Sequence, residues 1–352
     1  MLNAITAAIE GLPELSDARR AALDALLHHG LPGKKDEDWR YSDLSILDEL
    51  AANEIAPRLQ NHEFPSVYDC GLDALNTALA GGTQVQILKG NAELDTGLHQ
   101  RLRLRVSGDV ELSLMDKTAS RFSTFFSVIE LAPNARLRLL RMQNADDKAQ
   151  RITQLKVLMA RDAQLDAITV DLGGRFVRND VQVHLNEPGA SVQLRGLYAP
   201  VGSEHVDNHT WIHHHAPHCR SRESFRGIVN DRARAVFNGK IVVHEGARKT
   251  DSETRVANLL LSKTAEVYAK PELEIYNDDV KCAHGATFGQ LDDNAIFYLR
   301  ARGLDLDTAR GLLTYTFAHE VLSAIDNDGL RDRVRRRFLS RLPQGQLIGD
   351  LL

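Results

Sequence analysis

Near the C-terminal end, the stretch DDVKCAHGATFGQL (residues 278–291) places Cys282 two positions before His284. Thiolate and imidazole are metal ligands, and they also form nucleophile–base pairs in catalysis. Two ligands are too few for a closed metal site, and nothing in the sequence indicates a carboxylate that would orient the base. Gly285 and Gly289 give the backbone freedom to turn. The residues leave three possibilities open: half of a site shared with a second chain, a catalytic pair, or a structural turn.

A second group of metal-ligating residues lies in HTWIHHHAPHC, residues 209–219. If this stretch is a strand, His209, His213 and His215 project from one face and could hold Zn²⁺ or Fe²⁺. A His-x-His pair on a strand also occurs in cupin-type barrels, which need a third ligand a few residues later. Glu223 is available for that role but is loosely placed. The lack of a clear carboxylate partner favours the alternative, a sheet surface or subunit contact that carries polar rings.

Composition argues against several other functions. The chain has 352 residues, and its three cysteines form no CxxC pair, which argues against a zinc knuckle or a thioredoxin motif. The net charge of −5 predicts no general affinity for nucleic acid. No stretch approaches the ~20 apolar residues of a membrane span, and no P-loop or G-x-S-x-G elbow occurs. With few cysteines and no secretory signal, we expect a cytoplasmic protein without membrane or nucleic-acid partners.

The elements that position these residues fall into three regions. Residues 1–80 show helical patterns, including a helix with Ser16 as its N-cap. Residues 81–277 consist of short runs that alternate between apolar and polar residues, which is typical of strands with one buried face. Residues 278–352 hold the Cys-x-His stretch and then return to helical spacing, with Asp292 or Asp293 as the first N-cap.

The middle region also contains a repeat. Ala135, Ala163 and Ala190 recur about every 27 residues, each shortly after turn-forming residues and before a strand. A small residue at a fixed phase between strands indicates the stacked coils of a solenoid. A sandwich or barrel would give similar strands without requiring that phase. We therefore favour a mainly β protein with a β-helix-like core.

Three long stretches resemble the SufB/SufD family of iron–sulfur cluster assembly scaffold proteins. They are PGKKDEDWRYSDL, HTWIHHHAPHCRSRESFRGIVNDRARAVFNGKIVV and KCAHGATFGQLDDNAIFYLRARGLDLDTARGLLTYTFAHEVL. Together they touch both ends and the middle of the chain. The form CAHGATFGQL is similar to the SufD branch of the family and differs from the SufB branch.

The resemblance implies a right-handed parallel β-helix core flanked by N-terminal and C-terminal α-helical domains. It also implies pairing with a SufB-like subunit, edge to edge between the two β-helices. A SufC-like ABC-type ATPase would dock on the C-terminal helices, which would explain the lack of a P-loop. The candidate docking residues in that part of the chain are Tyr298, Arg300, Arg302, Leu312, Phe317 and Glu320.

In the family, the nascent cluster is thought to form at the interface between the two scaffold subunits. The resemblance assigns His284 to that site and gives Cys282 a weaker claim. SufB-like chains carry a cysteine before their last strand, but LLLSKTAEVYAKPELEIY has none. We therefore expect no tightly bound cofactor on the isolated chain, and a transient iron–sulfur cluster or iron shared with the SufB-like partner. CAHG would be a turn at this interface, and a homodimer of the isolated chain is plausible.

Three functional hypotheses follow. The first, which the resemblance favours, is a non-enzymatic scaffold subunit of the SUF iron–sulfur cluster assembly complex. The second is a metal-dependent, cupin-like β-fold enzyme that uses His209, His213 and His215. The third, a polysaccharide-active β-helix enzyme, is the weakest, because no groove of clustered acidic or basic residues can be located.

Overall fold

The computed structural model describes residues 2–11, 16–42, 44, 70–80, 82–342 and 345–351. Strands are the commonest regular element in this part of the chain. Its strands are β1 (Gln84–Leu88), β2 (Ala92–Thr96), β3 (His99–Val106), β4 (Asp109–Asp116), β5 (Phe122–Leu131), β6 (Arg136–Gln143), β7 (Gln150–Met159), β8 (Gln164–Asp171), β9 (Phe176–Leu185), β10 (Ser191–Tyr198), β11 (His205–His214), β12 (Arg220–Val229), β13 (Arg234–Val243), β14 (Asp251–Leu260), β15 (Glu266–Ile275) and β16 (Lys281–Gly289).

The strands form two parallel sheets of eight. The odd-numbered strands pair in order from β1 to β15, and the even-numbered strands pair in order from β2 to β16. Each strand is therefore followed by one in the opposite sheet, and the chain advances by one coil every two strands. This is a parallel β-solenoid, which confirms the mainly β class and the β-helix core. The right-handed sense of the coil stays a prediction.

A repeated corner sets the coil length. Before β6, β8 and β10, a residue with positive φ is followed by a buried alanine, and these pairs are Asn134–Ala135, Asp162–Ala163 and Gly189–Ala190. The N–H of Gln164 donates to the Ala135 carbonyl at 2.8 Å, and the N–H of Ser191 donates to the Ala163 carbonyl at 2.9 Å. Asparagine, aspartate and glycine tolerate this left-handed conformation. The alanine repeat in the sequence is thus a ladder of stacked corners.

Between the two sheets lies a continuous apolar core. Successive side chains of a strand point to opposite faces, so every second residue enters this core. Leu137, Leu165 and Val192 are register partners on neighbouring coils, and all three are buried. Full burial of such a side chain is worth about 1.5–3 kcal/mol, so the stacked rows are the main source of stability.

Helices lie near both ends of the chain. They are α1 (Leu2–Glu10), α2 (Asp17–His29), α3 (Gly71–Ala80), α4 (Asp293–Ala301), α5 (Leu306–Leu322), α6 (Asp328–Leu339) and α7 (Gly345–Leu351). Ser16 caps α2 as predicted, because its hydroxyl accepts from the Arg19 N–H at 3.3 Å, and Asp292 caps α4. None of the described helices is long and apolar enough to cross a membrane.

The helices cover the outer faces of the sheets. On the even-numbered sheet, side chains such as Leu197 and Ile228 form one buried cluster with Ala318 and Val321 of α5. On the odd-numbered sheet, Phe126 joins the cluster of the N-terminal helices. The helices thus bury apolar residues that strand alternation would otherwise leave exposed to water.

The strand region extends past the predicted boundary at residue 277. Residues of β16 pair with β14 from Asp251–Lys281 to Leu259–Gly289. The prediction of a turn at CAHG is therefore wrong. The sheet supplies partners for the backbone, and the conformational freedom of Gly285 and Gly289 is not used, since neither has a positive φ.

Candidate functional site

The Cys-x-His pair lies on an open edge of the solenoid. β16 is the last strand of its sheet, and β15 is the last strand of the other. The N–H of Lys281 donates to the Thr250 carbonyl of the preceding coil at 2.8 Å. Because N–H groups alternate in direction along a parallel pair, those of Cys282, His284 and Ala286 point away from β14. The edge therefore offers a row of donors to a further strand.

The side chains of β16 alternate between the inside and the outside of the coil. Cys282 and Ala286 are partly buried against the interior core. His284 lies between them on the same face but is exposed. The two candidate ligands thus sit at the open end of the interior, where a neighbouring molecule would cover them.

The local chemistry argues against a catalytic pair. Burial, with a smaller contribution from the Asp251 charge, raises the pKa of the Cys282 thiol. A protonated thiol is a weak nucleophile and a poor ligand until a metal or base removes its proton. Within the described residues, no third His, Cys, Asp or Glu joins the pair at ligand spacing. An ion bound here would need additional ligands from elsewhere.

Two polar rows run through the interior core and end at this pair. In one, Glu223, Thr254 and His284 are successive register partners, and Thr254 Oγ1 donates to Glu223 Oε2 at 2.9 Å. Burial raises the pKa of the Glu223 carboxyl to about 7. The open-end histidine therefore continues a row that begins with a buried carboxyl group.

The second row leads to the cysteine. Ser221, Ser252 and Cys282 are successive register partners, and the two serine hydroxyl oxygens are 2.5 Å apart. His214 Nε2 lies 2.9 Å from the Ser221 hydroxyl. Sequence reasoning missed both rows, because it considered Glu223 only as a loosely placed third ligand for the histidine-rich stretch and did not use the coil register.

The histidine-rich stretch forms β11, but its three predicted ligands do not come together. His209 is buried, and its Nε2 lies 3.0 Å from Asp207 Oδ1. His213 and His215 instead group with His184 of the preceding coil. Glu223 lies inside the solenoid, so it cannot complete this outer cluster as predicted.

His209 is enclosed by the N-terminal segment that carries the DEDWRY motif. The guanidinium of Arg178 is paired with Asp207 and Asp180 and lies 4.3 Å from the centroid of the Trp39 ring. The Tyr41 ring stacks on Tyr268 with a centroid distance of 4.3 Å. This segment is thus anchored on the outer face of the odd-numbered sheet. His209 is part of the contact that anchors it.

The six candidate docking residues divide into two groups. Tyr298, Arg300 and Arg302 are exposed on and just after α4, beside Phe297, which is 74% exposed and which sequence reasoning missed. The other three lie on α5. Leu312 and Phe317 pack against the cluster between this helix and the even-numbered sheet, and Glu320 forms an ion pair with Arg226. The first group is available to a partner, whereas Leu312 and Phe317 also hold α5 on the sheet.

The fold and this edge define a class of protein: a parallel β-solenoid with helices at its termini and potential metal ligands on its last strand. A family model described as "SUF system FeS cluster assembly, SufBD core domain" matches residues 88–317. The match covers the solenoid almost completely and reaches into α5. The chain therefore belongs to this SufB/SufD family of the SUF iron–sulfur cluster assembly system.

Individual relatives agree with this assignment. The chain is 37% identical to the iron–sulfur cluster assembly protein SufD of Escherichia coli over 252 residues, which are 70% of this chain and 60% of that protein. It is 27% identical to a SufBD family protein of Synechocystis over 407 positions, 92% of this chain and 90% of that protein. A SufBD family protein of Mycobacterium leprae is 30% identical over 270 residues, covering 74% and 66%. The predicted family resemblance is confirmed.

The fold also bears on the cupin-like alternative. Cupins are double-sheet jelly rolls of antiparallel strands. The strands here are parallel throughout the described ladders, and His209 and Glu223 lie away from His213 and His215. The prediction of a cupin-like site built from His209, His213 and His215 is therefore wrong in its fold and in one of its ligands.

Proposed function

We propose that this chain is a non-enzymatic scaffold subunit of the SUF system, which pairs with a SufB-like subunit through the edge formed by β15 and β16. The observation that carries the proposal is the coincidence of three features at one end of the solenoid: outward N–H groups on β16, exposed apolar side chains on and next to β15 and β16, and two potential ligands for iron. Ile275, Tyr276 and Phe288 supply the exposed apolar surface at this end. Continuing both sheets into a second solenoid would satisfy the edge and bury this surface.

In this arrangement, His284 and Cys282 form half of a composite site. Iron or the nascent cluster is the cargo of the complex, and the missing ligands come from the SufB-like subunit. Neutral imidazole and thiolate both ligate iron, and the metal ion would favour loss of the thiol proton from Cys282. Among the residues that the structure describes, no third ligand joins this pair, which supports a shared site over a resident one.

The C-terminal helices provide the second contact. A SufC-like ATPase would dock on the exposed surface of α4, where Tyr298, Arg300 and Arg302 lie next to Phe297. The guanidinium of Arg302 packs over the Tyr298 ring at 4.5 Å, which preorganises an aromatic and basic patch. Nucleotide hydrolysis then belongs to that partner, and a change in its geometry could be transmitted through the helices to the sheet.

The first test is co-expression with the SufB-like and SufC-like chains of the same organism, followed by affinity purification and sizing. A stable complex of all three supports the proposal. A chain that purifies alone under these conditions would overturn it.

The second test addresses the ligands. His284→Ala should reduce cluster loading of the purified complex by at least about tenfold, as expected for loss of a metal ligand, while complex yield and circular dichroism stay unchanged. His28→Ala, at the exposed end of α2, is the matched control and should load normally. Normal loading of the His284→Ala complex would remove this histidine from the site.

A further inference from the structure

A second group of histidines lies on the outer face of the odd-numbered sheet, away from the β16 edge. His184, His213 and His215 each offer a ring nitrogen, and these atoms lie within 4.8 Å of one another. His184 and His213 are register partners on β9 and β11. His215 follows directly after β11. We propose that these three imidazoles form a binding site for a divalent late transition-metal ion such as Zn²⁺.

The spacing of the nitrogens fits such an ion. Nδ1 of His184 and Nε2 of His215 are 3.1 Å apart. Two nitrogens bound at about 2.0–2.1 Å to a tetrahedral ion are separated by roughly 3.3 Å. In the metal-free protein a hydrogen bond joins this pair, and an ion would take the place of the shared proton. The His213 ring stacks on that of His184 at a centroid distance of 4.6 Å, so it would have to rotate for its nitrogen lone pair to point at the same ion.

The environment keeps the rings in their ligating form. Burial, reinforced by the neighbouring imidazoles, lowers the pKa of His184 and of His213 to about 4, and that of His215 is also lowered. All three are therefore neutral at pH 7, and a neutral imidazole has a free lone pair for a metal. Nε2 of His184 is buried without a hydrogen-bond partner among the described residues, so the hydrogen bonds of this ring do not use both of its nitrogens.

Neighbouring groups hold the cluster in place. His244, one coil further, stacks on His215 at a centroid distance of 4.2 Å, and its Nε2 lies 3.4 Å from Nδ1 of His213. Two cations act on the cluster: the charge of Lys156 contributes to the lowered pKa of His184, and Lys240 acts on His213 but is paired with Glu274 at 2.5 Å. Three imidazoles leave a fourth position for water or for a ligand from another molecule, as in open zinc sites.

The site differs in chemistry and position from the proposed cluster site. It consists of imidazoles alone on the outer face of the sheet, whereas Cys282 and His284 face the open interior end. Imidazole nitrogen suits Zn²⁺, Cu²⁺ and Ni²⁺, whose affinity for such ligands exceeds that of earlier divalent ions. The inference therefore does not depend on the pairing of this chain with a SufB-like subunit.

The test is a Zn²⁺ titration of the tag-free, full-length chain in competition with a chromophoric chelator. We expect one ion per chain, and X-ray absorption of the loaded protein should show nitrogen ligands at about 2.0–2.1 Å without sulfur. His213→Gln should raise the Kd for Zn²⁺ by at least about tenfold, and His184→Gln should have an effect of similar size. Circular dichroism of each variant checks that the fold is retained.

Two controls separate this site from the others. His28→Gln, on an exposed helix end, should bind Zn²⁺ as the unmodified chain does. The double variant Cys282→Ser and His284→Ala should also retain the ion. Zn²⁺ affinity that is unchanged in both His184→Gln and His213→Gln, sulfur in the ligand shell, or no stoichiometric binding would overturn the proposal. None of these results would bear on the role of β16 in cluster assembly.

Discussion

The two ends of the solenoid differ in how they treat their exposed strand edges. At the N-terminal end, β1 and β2 have five residues each, and β2 is lined by ion pairs of Glu93 and Asp95 with Lys117. At the C-terminal end, β15 and β16 have ten and nine residues, and their exposed side chains include Ile275 and Phe288.

β1 also exposes apolar side chains, since Val85 and Ile87 are 42% and 64% exposed, so the two ends differ in strand length and in the ion pairs on β2. Short strands with charged cover resist edge pairing better than long strands do. The comparison supports the proposal that the C-terminal edge pairs with another chain.

The polar row inside the solenoid that contains Glu223 also differs between its two ends. The Glu223 end of its row is sealed between coils, while His284 at the other end is exposed. A buried carboxyl group is costly unless it is neutral or well paired, and the protein retains one in line with the open-end histidine. The polar row that contains Glu223 therefore leads to the open end, while other buried polar pairs, such as Asn179 and Asn208, lie in the middle coils.

The largest expected effect comes from blocking one edge with proline. Ala286→Pro removes an outward N–H from β16 and should abolish co-purification with the SufB-like subunit, because strand pairing requires that donor. Ile87→Pro is the matched control. Since Ser107 N–H donates to the Leu88 carbonyl, the N–H of Ile87 also points outward, at the opposite end. Sizing of the co-expressed complexes distinguishes the two, and equal losses would mean that the ends are equivalent.

A smaller effect is expected from the buried carboxyl group. Because the pKa of Glu223 is raised to about 7 in the folded chain, the native state binds more protons than the unfolded state above about pH 4.5. Stability should therefore fall as pH rises from about 4.5 to about 7. Glu223→Gln should remove this slope and be more stable than the unmodified chain at pH 8, by on the order of 3 kcal/mol.

Denaturant unfolding at several pH values measures this difference. Glu245→Gln, at an exposed position after β13, is the control and should leave the pH dependence unchanged. A parallel decline of the unmodified chain and Glu223→Gln between pH 5 and pH 8 would show that Glu223 titrates normally.

An exposed aromatic residue should contribute less than the backbone edge. Phe288 is 52% exposed, and aromatic side chains at the centre of an interface commonly contribute more than 1 kcal/mol to binding. We expect Phe288→Ser to raise the Kd for the SufB-like subunit about tenfold, whereas Val85→Ser on β1 should not change it. Biolayer interferometry with purified partners measures both. Equal Kd values for the two variants would argue that the interface lies elsewhere.

The smallest effect concerns the charged N-terminal edge. Lys117→Met removes the ion pairs to Glu93 and Asp95, but exposed pairs of this kind contribute little to stability. The thermal midpoint should therefore stay unchanged within error, and self-association should not increase, because Glu93 and Asp95 keep β2 charged and Glu93 retains its ion pair with Arg333. Analytical ultracentrifugation checks the association. A large drop in the midpoint would mean that these ions hold the end of the sheet together.

Much of the architecture could be predicted from the sequence, because local rules decide it. Period-two alternation marked the strands, and turn-forming residues followed by alanine marked the corners, as at Asn134–Ala135, where the structure shows a positive φ at Asn134. N-caps such as Ser16 marked the helix starts. The family resemblance assigned His284 to the proposed cluster site. The spacing of Cys282 and His284 could not have done so, because two ligands alone do not define a metal site.

Other features depended on the register between coils, which the local pattern does not contain. His184 and His244 lie about one coil from His213, so only stacking brings them beside it. The same applies to Glu223, which faces the interior in line with His284 and not the outer histidines.

The backbone conformation of the CAHG stretch also depended on tertiary structure. Glycine permits a turn but does not require one, and β14 supplied hydrogen-bond partners that favour an extended strand. The sequence by itself determined which residues could form strands, corners and ligands. The stacking of coils determined which of them meet, because residues about 30 positions apart become neighbours only when the sheets close around a common core.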